Sequence, residues 1–320
     1  MAIEIGYALS SEEHSPRDLV RHAKRAEEAG FSFALISDHY HPWTRRQGQS
    51  PFVWSVIGAI AQETERISLG TGVTCPSLRT HPAIVAQAAA TAATMMEGRF
   101  FLGVGTGENL NEHILGHHWP PIHVRREMLA EAVKILRLLW RGGMNNHEGK
   151  YFTLEQAQIF TLPDRPPPIM VAAGASRSAE LAGTIGDGMI STSPKANLVR
   201  KFRASDGGAE KPCYGQIKVC WARSLEEAKQ IAHEWWPIAG LPGSLMSQLP
   251  TPTDFEAAAA LVSADAVAEE IVAGPDAEAY IAKINSYHAA GFDHVYLHQI
   301  GPDQDGFFKF CEREILPKFN

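Results

Sequence analysis

The chain has few cysteines, no long apolar run and no excess of positive charge. Its four cysteines stand at 75, 213, 220 and 311, and none forms a Cys-x-x-Cys pair. That spacing excludes a disulfide scaffold and a zinc framework. No stretch approaches the roughly 20 apolar residues that a membrane-spanning helix needs. The opening Met1-Ala2-Ile3-Glu4-Ile5 enters an apolar strand with no basic segment before it. The expectation is a cytoplasmic chain without a signal peptide. Twenty-nine Lys and Arg against 36 Asp and Glu leave a net charge of −7. That argues against nucleic acid or an anionic membrane as a partner and leaves a small-molecule substrate. The loop Ser10-Ser11-Glu12-Glu13-His14 lacks the glycines of a dinucleotide fingerprint, which disfavours an open doubly wound sheet.

What the chain does have is alternation. Ile3–Leu9, Phe31–Ser37, Ile67–Val73, Arg99–Val104, Pro168–Ala173, Gly188–Thr192, Ile217–Ala222 and His294–His298 read as strands, with helical segments between them. Ser15-Pro16 supplies an N-cap and a first-turn proline to the first helix, and Gly30 ends it. Eight such units in one domain spanning 1–320 predict an α/β fold, a (β/α)8 TIM barrel. Insertions over 143–166 and 237–275 are expected at its C-terminal face, the first as a surface hairpin and the second as an irregular excursion.

Chemistry is expected at the strand ends. The second strand stops in Ser37-Asp38-His39-Tyr40-His41-Pro42-Trp43. His39 is suited to moving a proton near neutral pH. Asp38 could hold its tautomer or bond a ligand edge, and Trp43 could wall a planar ligand. His39 and His41 together suggest a metal, but no further cluster at ligand spacing follows. The fourth strand ends in Gly105-Thr106-Gly107-Glu108-Asn109-Leu110-Asn111-Glu112. Its glycines allow close approach of backbone to a ligand. Glu108 and Asn111 share a helical face, and Glu108 reads either as an acid beside a ligand or as a helix cap. Gly174-Ala175-Ser176-Arg177-Ser178 opens a helix and could cradle an anion. Ser191-Thr192-Ser193-Pro194-Lys195 is a hydroxyl-rich strand end with a cation. Gly70-Thr71-Gly72-Val73 can take unusual backbone. Trp221, Trp235 and Trp236 read as core.

These segments, with Pro82–Ala88, Ala172-Ala173-Gly174 and the closing Gly301–Phe308, resemble the bacterial luciferase-like superfamily. More narrowly, they resemble its branch of coenzyme F420-dependent oxidoreductases. The resemblance implies a homodimeric barrel that holds the deazaflavin at its C-terminal mouth, over a non-prolyl cis peptide that would join Gly72 to Val73. By motif position it implies cofactor contacts from Asp38, Gly72, Val73, Thr106, Gly107, Asn111, Ala172, Ala173, Gly174 and Ala175. It makes His39, Trp43 and Glu108 the reacting residues, gives Thr192 and Lys195 to the substrate, and implies no metal. The implied reaction moves a hydride between a carbinol or carbonyl carbon and C5 of the deazaflavin. His39 would take the hydroxyl proton, Trp43 would position the oxygen, and Glu108 would serve the ring edge. The glucose-6-phosphate enzymes of this branch use three basic residues for the phosphate. Here one matches Lys195, the second falls on Ala257, and the third falls near Ala268-Glu269-Glu270. Glucose 6-phosphate is therefore expected to be a poor substrate. Trp235-Trp236 and Leu241–Leu249 could line a more apolar pocket. An FMN-dependent relative, including a monooxygenase, and a non-catalytic flavin-binding barrel are the alternatives.

Overall fold

The computed structural model describes residues 3–319 apart from 206, 207 and 209. Eight parallel strands close into a barrel. They are β1 (Glu4–Leu9), β2 (Phe33–Ile36), β3 (Ser68–Thr71), β4 (Phe100–Val104), β5 (Ile169–Ala172), β6 (Gly188–Ser191), β7 (Cys213–Cys220) and β8 (His294–Gln299). Each pairs with its sequence neighbour, and β8 pairs back onto β1. One face of every strand meets the helices, and the other fills the lumen. Ala8, Phe33, Leu35, Phe101, Met170, Ile190, Tyr214 and Tyr296 pack together in that lumen. The large rings fit because Gly70 faces Phe101, whose Cε2 lies 2.0 Å from where a Cβ would stand.

Local chemistry sets the helix ends. Ser15 accepts a bond from Asp18 N, Pro16 follows it, and Gly30 closes Pro16–Ala29 at φ 97. That is a left-handed conformation glycine adopts without strain.

Three expectations change. Strand β7 begins at Cys213, four residues earlier than expected, and stops at Cys220. Gly215 hides that start in the sequence. It is needed because a Cβ there would lie 2.3 Å from Tyr287 Cδ1. The 143–166 insertion does not belong to the C-terminal face. It joins the end of helix Ile122–Leu139 to the start of β5, a connection made at the opposite end of the barrel. Its hairpin, Asn145–Glu148 with Thr153–Ala157, climbs the outside of that helix. Glu131 accepts from Tyr151 N at 3.2 Å and Phe152 N at 3.0 Å there. The 237–275 excursion does cover the C-terminal face, but it is helical. Short helices run Gly243–Met246, Pro252–Ala259 and Ala264–Glu270 before Val272–Ala273 pairs with β7. Its Phe255 stands edge-on to Trp43 at 5.1 Å. Trp43, Leu110, Phe255 and Trp236 share one apolar cluster over the mouth, while Trp221 and Trp235 pack at the margins of the cores. Among the described residues, no helix is long and apolar enough to cross a membrane.

Candidate active site

His39 sits at the end of β2 and is 9 % exposed. Its Nδ1 lies 3.2 Å from the carbonyl of His41. A carbonyl only accepts, so Nδ1 carries a hydrogen, and Nε2 is the ring nitrogen turned to the carboxylates. Nε2 lies 3.3 Å from Glu12 Oε1 and 3.6 Å from Glu108 Oε2. The ring also packs at 4.8 Å against that of Trp43. Glu12 comes from the loop after β1 and is buried. Ser37 Oγ donates to its other oxygen at 2.5 Å, and Ser10 Oγ does so at 3.1 Å. Burial opposes charge on Glu12, but His39 and the Ser37 hydroxyl outweigh it and hold the carboxyl below the usual range. Glu12 is therefore the anion that faces His39.

Asp38 has a different partner from the one expected. It does not orient His39. Its carboxylate accepts from Thr74 Oγ1 at 2.8 Å and pairs with Arg79 Nη2 at 2.8 Å. Arg79 N also donates to Glu112 Oε2 at 2.8 Å. Glu112 is 1 % exposed, and burial pushes its carboxyl up to about 7. Arg79 thus ties the ends of β2, β3 and β4 together. Asn111 joins the same loops, because its Oδ1 accepts from Tyr40 N at 2.9 Å and His41 N at 3.3 Å. Its Nδ2 donates to Glu108 Oε2 at 3.3 Å. Glu108 occupies the N-cap position of Asn109–Glu112 but makes no capping bond. With 37 % of its side chain exposed, it faces the mouth, held by the Asn111 amide. His39 and His41 diverge: His41 Nδ1 lies 3.0 Å from Leu110 O. Among the described residues, no three His, Cys, Asp or Glu groups come together as metal ligands.

The ends of β3, β4 and β5 are rich in small residues. The Gly72–Val73 peptide is cis. Val73 caps the lumen layer. A Cβ on Gly105 would lie 2.7 Å from Val73 Cγ2, and one on Gly107 would lie 2.7 Å from Cys75 Sγ. The carbonyl of Gly107 accepts from Arg125 Nη1 at 3.1 Å, which anchors the Thr106-Gly107 turn. Ala172, Ala173, Gly174 and Ala175 continue this set of small residues, with open space above Gly174. Helix Ser176–Ile185 starts there with no side-chain cap. Thr192 and Lys195 lie exposed after β6, and Lys195 precedes helix Ala196–Arg203. Sequence reasoning missed Glu12, Arg79 and Arg125. The two adjacent acids after β1 were the available signal for the first.

The chain is thus a closed parallel barrel with a histidine between two carboxylates at its mouth. The profile of the luciferase-like monooxygenase family matches residues 1–294, and the chain belongs to that family. It is 34% identical over 328 residues to an F420-dependent glucose-6-phosphate dehydrogenase of Amycolatopsis mediterranei, covering 99% of this chain and 98% of that one. A protein so named from Mycobacterium avium is 35% identical over 329 residues, with the same coverage. Among solved structures, an F420-dependent secondary alcohol dehydrogenase in complex with an F420-acetone adduct superposes with a TM-score of 0.92 at 31% identity, over 100% of both chains. A coenzyme F420-dependent tetrahydromethanopterin reductase from Methanopyrus kandleri, 21% identical, shares the fold at a TM-score of 0.80 over 100% of both chains.

Proposed function

We propose that this protein is a coenzyme F420-dependent oxidoreductase acting on a CH–OH or C=O group of a small substrate. The observation that carries this reading is His39. Its Nδ1–H is fixed on a carbonyl, and its Nε2 lies between Glu12 and Glu108, at the mouth. Small residues at the neighbouring strand ends support a planar ring there, with open space above Gly174. Asp38, Gly72, Val73, Thr106, Gly107, Asn111 and Ala172 to Ala175 would hold the deazaflavin, with Arg79 keeping Asp38 in place. Once bound, the cofactor supplies the hydride acceptor or donor.

The chain's own residues handle the proton. Nε2 of His39 takes it from a substrate hydroxyl, and the Glu12 carboxylate stabilises the resulting imidazolium. Glu108 is the second group at the mouth able to give or take a proton. The Trp43 indole N–H has no bond within the described residues, and it can donate to the substrate oxygen. Thr192 and Lys195, exposed after β6, would meet the substrate.

The phosphate clamp is incomplete, since Ala257 is neutral and Glu269 and Glu270 are acidic. Glucose 6-phosphate should accordingly be turned over poorly, and a micromolar KM for it would refute that. Exposed Phe52, Ile84 and Met95 on the neighbouring helices Val53–Glu63 and Pro82–Met95 support a homodimer through that face. Four buried free thiols suit a reducing cytoplasm.

The deciding test is fluorescence titration of pure protein with F420 and, separately, FMN. Tight F420 binding with weak FMN binding is expected. Tight FMN binding with no F420 response would replace this reading with the FMN-dependent one.

A further inference from the structure

Lys218 lies on β7, a strand that pairs with β8 without a register break. Side chains alternate along it. Tyr214 faces the lumen, whereas Cys213, Ile217 and Val219 face the helices. Lys218 is on the Tyr214 side and therefore points into the barrel. Its height follows from the register. A path round the sheet that leaves β7 at Val219 returns at Lys211, eight residues lower. That shear sets one residue of climb per strand. Lys218 is thus level with Asp38, Thr74, Thr106 and Gly174, at the mouth. The expected cofactor contacts occupy the β2 to β5 half, and Lys218 faces them from the β6 and β7 half.

Its ammonium has no hydrogen bond or ion pair within the described residues. Its neighbour across the ladder, His298, is already committed, with Nε2 2.9 Å from Glu13 Oε2. Burial pulls the Lys218 ammonium below the usual lysine range, and Glu270, from the helix covering the mouth, offsets this only in part. A half-buried cation without a counter-ion is an unmet demand for an anion. The surroundings limit the charge of that anion. Glu108 and Glu270 oppose a dianion, Ala257 contributes no cation on the covering helix, and Lys195 is exposed to solvent.

We propose that Lys218 is a specificity residue that binds a single carboxylate on the substrate, so that the favoured substrates are hydroxy acids or oxo acids. This rests on the F420 oxidoreductase reading for its turnover assay, but not for its binding assay.

The turnover test compares hydroxy acids of three to six carbons with diols of the same skeleton, using F420 as electron acceptor. Lys218→Met should lower the acid-to-diol ratio of kcat/KM by about 10- to 100-fold, mostly through KM. Lys218→Arg should restore part of it. The binding test titrates cofactor-free protein with the same acids and follows tryptophan fluorescence, since Trp43 and Trp236 line the mouth. The acid response should weaken in Lys218→Met. An unchanged ratio, an equal loss for diol and acid, or a larger loss for glucose 6-phosphate would each overturn the proposal. If no alcohol is oxidised but Lys218-dependent acid binding persists, the F420 reading fails and the Lys218 assignment stands.

Discussion

Glu12→Gln tests the proton machinery most directly. The substitution keeps the side chain's shape, so Ser37 and Ser10 can still donate to one oxygen. Two things change at the end facing His39. The negative charge disappears, and an amide N–H points at Nε2, occupying the lone pair that must take the proton. Unit charges at the 3.3 Å separation of Glu12 and His39 attract by about 5 kcal/mol at an effective dielectric near 20. Only part of that reaches the barrier, because charge on the ring is incomplete in the transition state and Glu108 remains 3.6 Å away. About half, or 2–3 kcal/mol, gives a fall in kcat/KM of about 30- to 150-fold. The assay is loss of oxidised F420 absorbance with an alcohol substrate, and fluorescence quenching checks that F420 still binds. A change under about 3-fold, with the variant folded, would mean that Nε2 of His39 is not where the proton goes.

Other outcomes follow from the same geometry. His22 is 3 % exposed and its Nδ1 has no partner among the described residues; burial, then the His14 ring and Arg21, push it down to about 3. The unfolded chain takes that proton near pH 6.5 and the folded chain does not, so stability is lost as pH falls. The loss from pH 7 to 5 is about 2 kcal/mol, or about 3 °C in Tm for this size, and His22→Phe should remove that much of the pH dependence in thermal melts. Gly107→Ala puts a side chain at φ 73 and 2.7 Å from Cys75 Sγ. It should cost about 1–3 kcal/mol and weaken F420 binding; an unchanged Tm would remove the strain argument. Ile84→Glu should halve the mass seen by light scattering if the face carrying Phe52 and Met95 forms the dimer.

The barrel was legible because its cues are local. Ser15-Pro16 and Gly30 mark one helix, and apolar runs closed by glycine mark the strands. The motifs at the ends of β2 and β4 were legible too, since each apolar run breaks abruptly into polar residues. Partners were not legible. Asp38 adjoins His39 in sequence, yet consecutive residues at a strand end point to opposite sides. Asp38 therefore turns to Thr74 and Arg79, while a carboxylate 27 positions earlier meets the imidazole.

The same geometry hid Lys218. Placing a strand at Ile217–Ala222 left the lysine near its beginning. Only the longer run from Cys213, with Tyr214 fixed in the lumen, gives its direction, and only the barrel's shear gives its height. Sequence shows which side chains are able to do chemistry. Closure decides which of them meet, because each strand is displaced by one residue from its neighbour and the mouth gathers groups from every part of the chain. Glu12, His39, Glu108 and Lys218 come from four different βα units, and the nearest two in sequence are 27 positions apart.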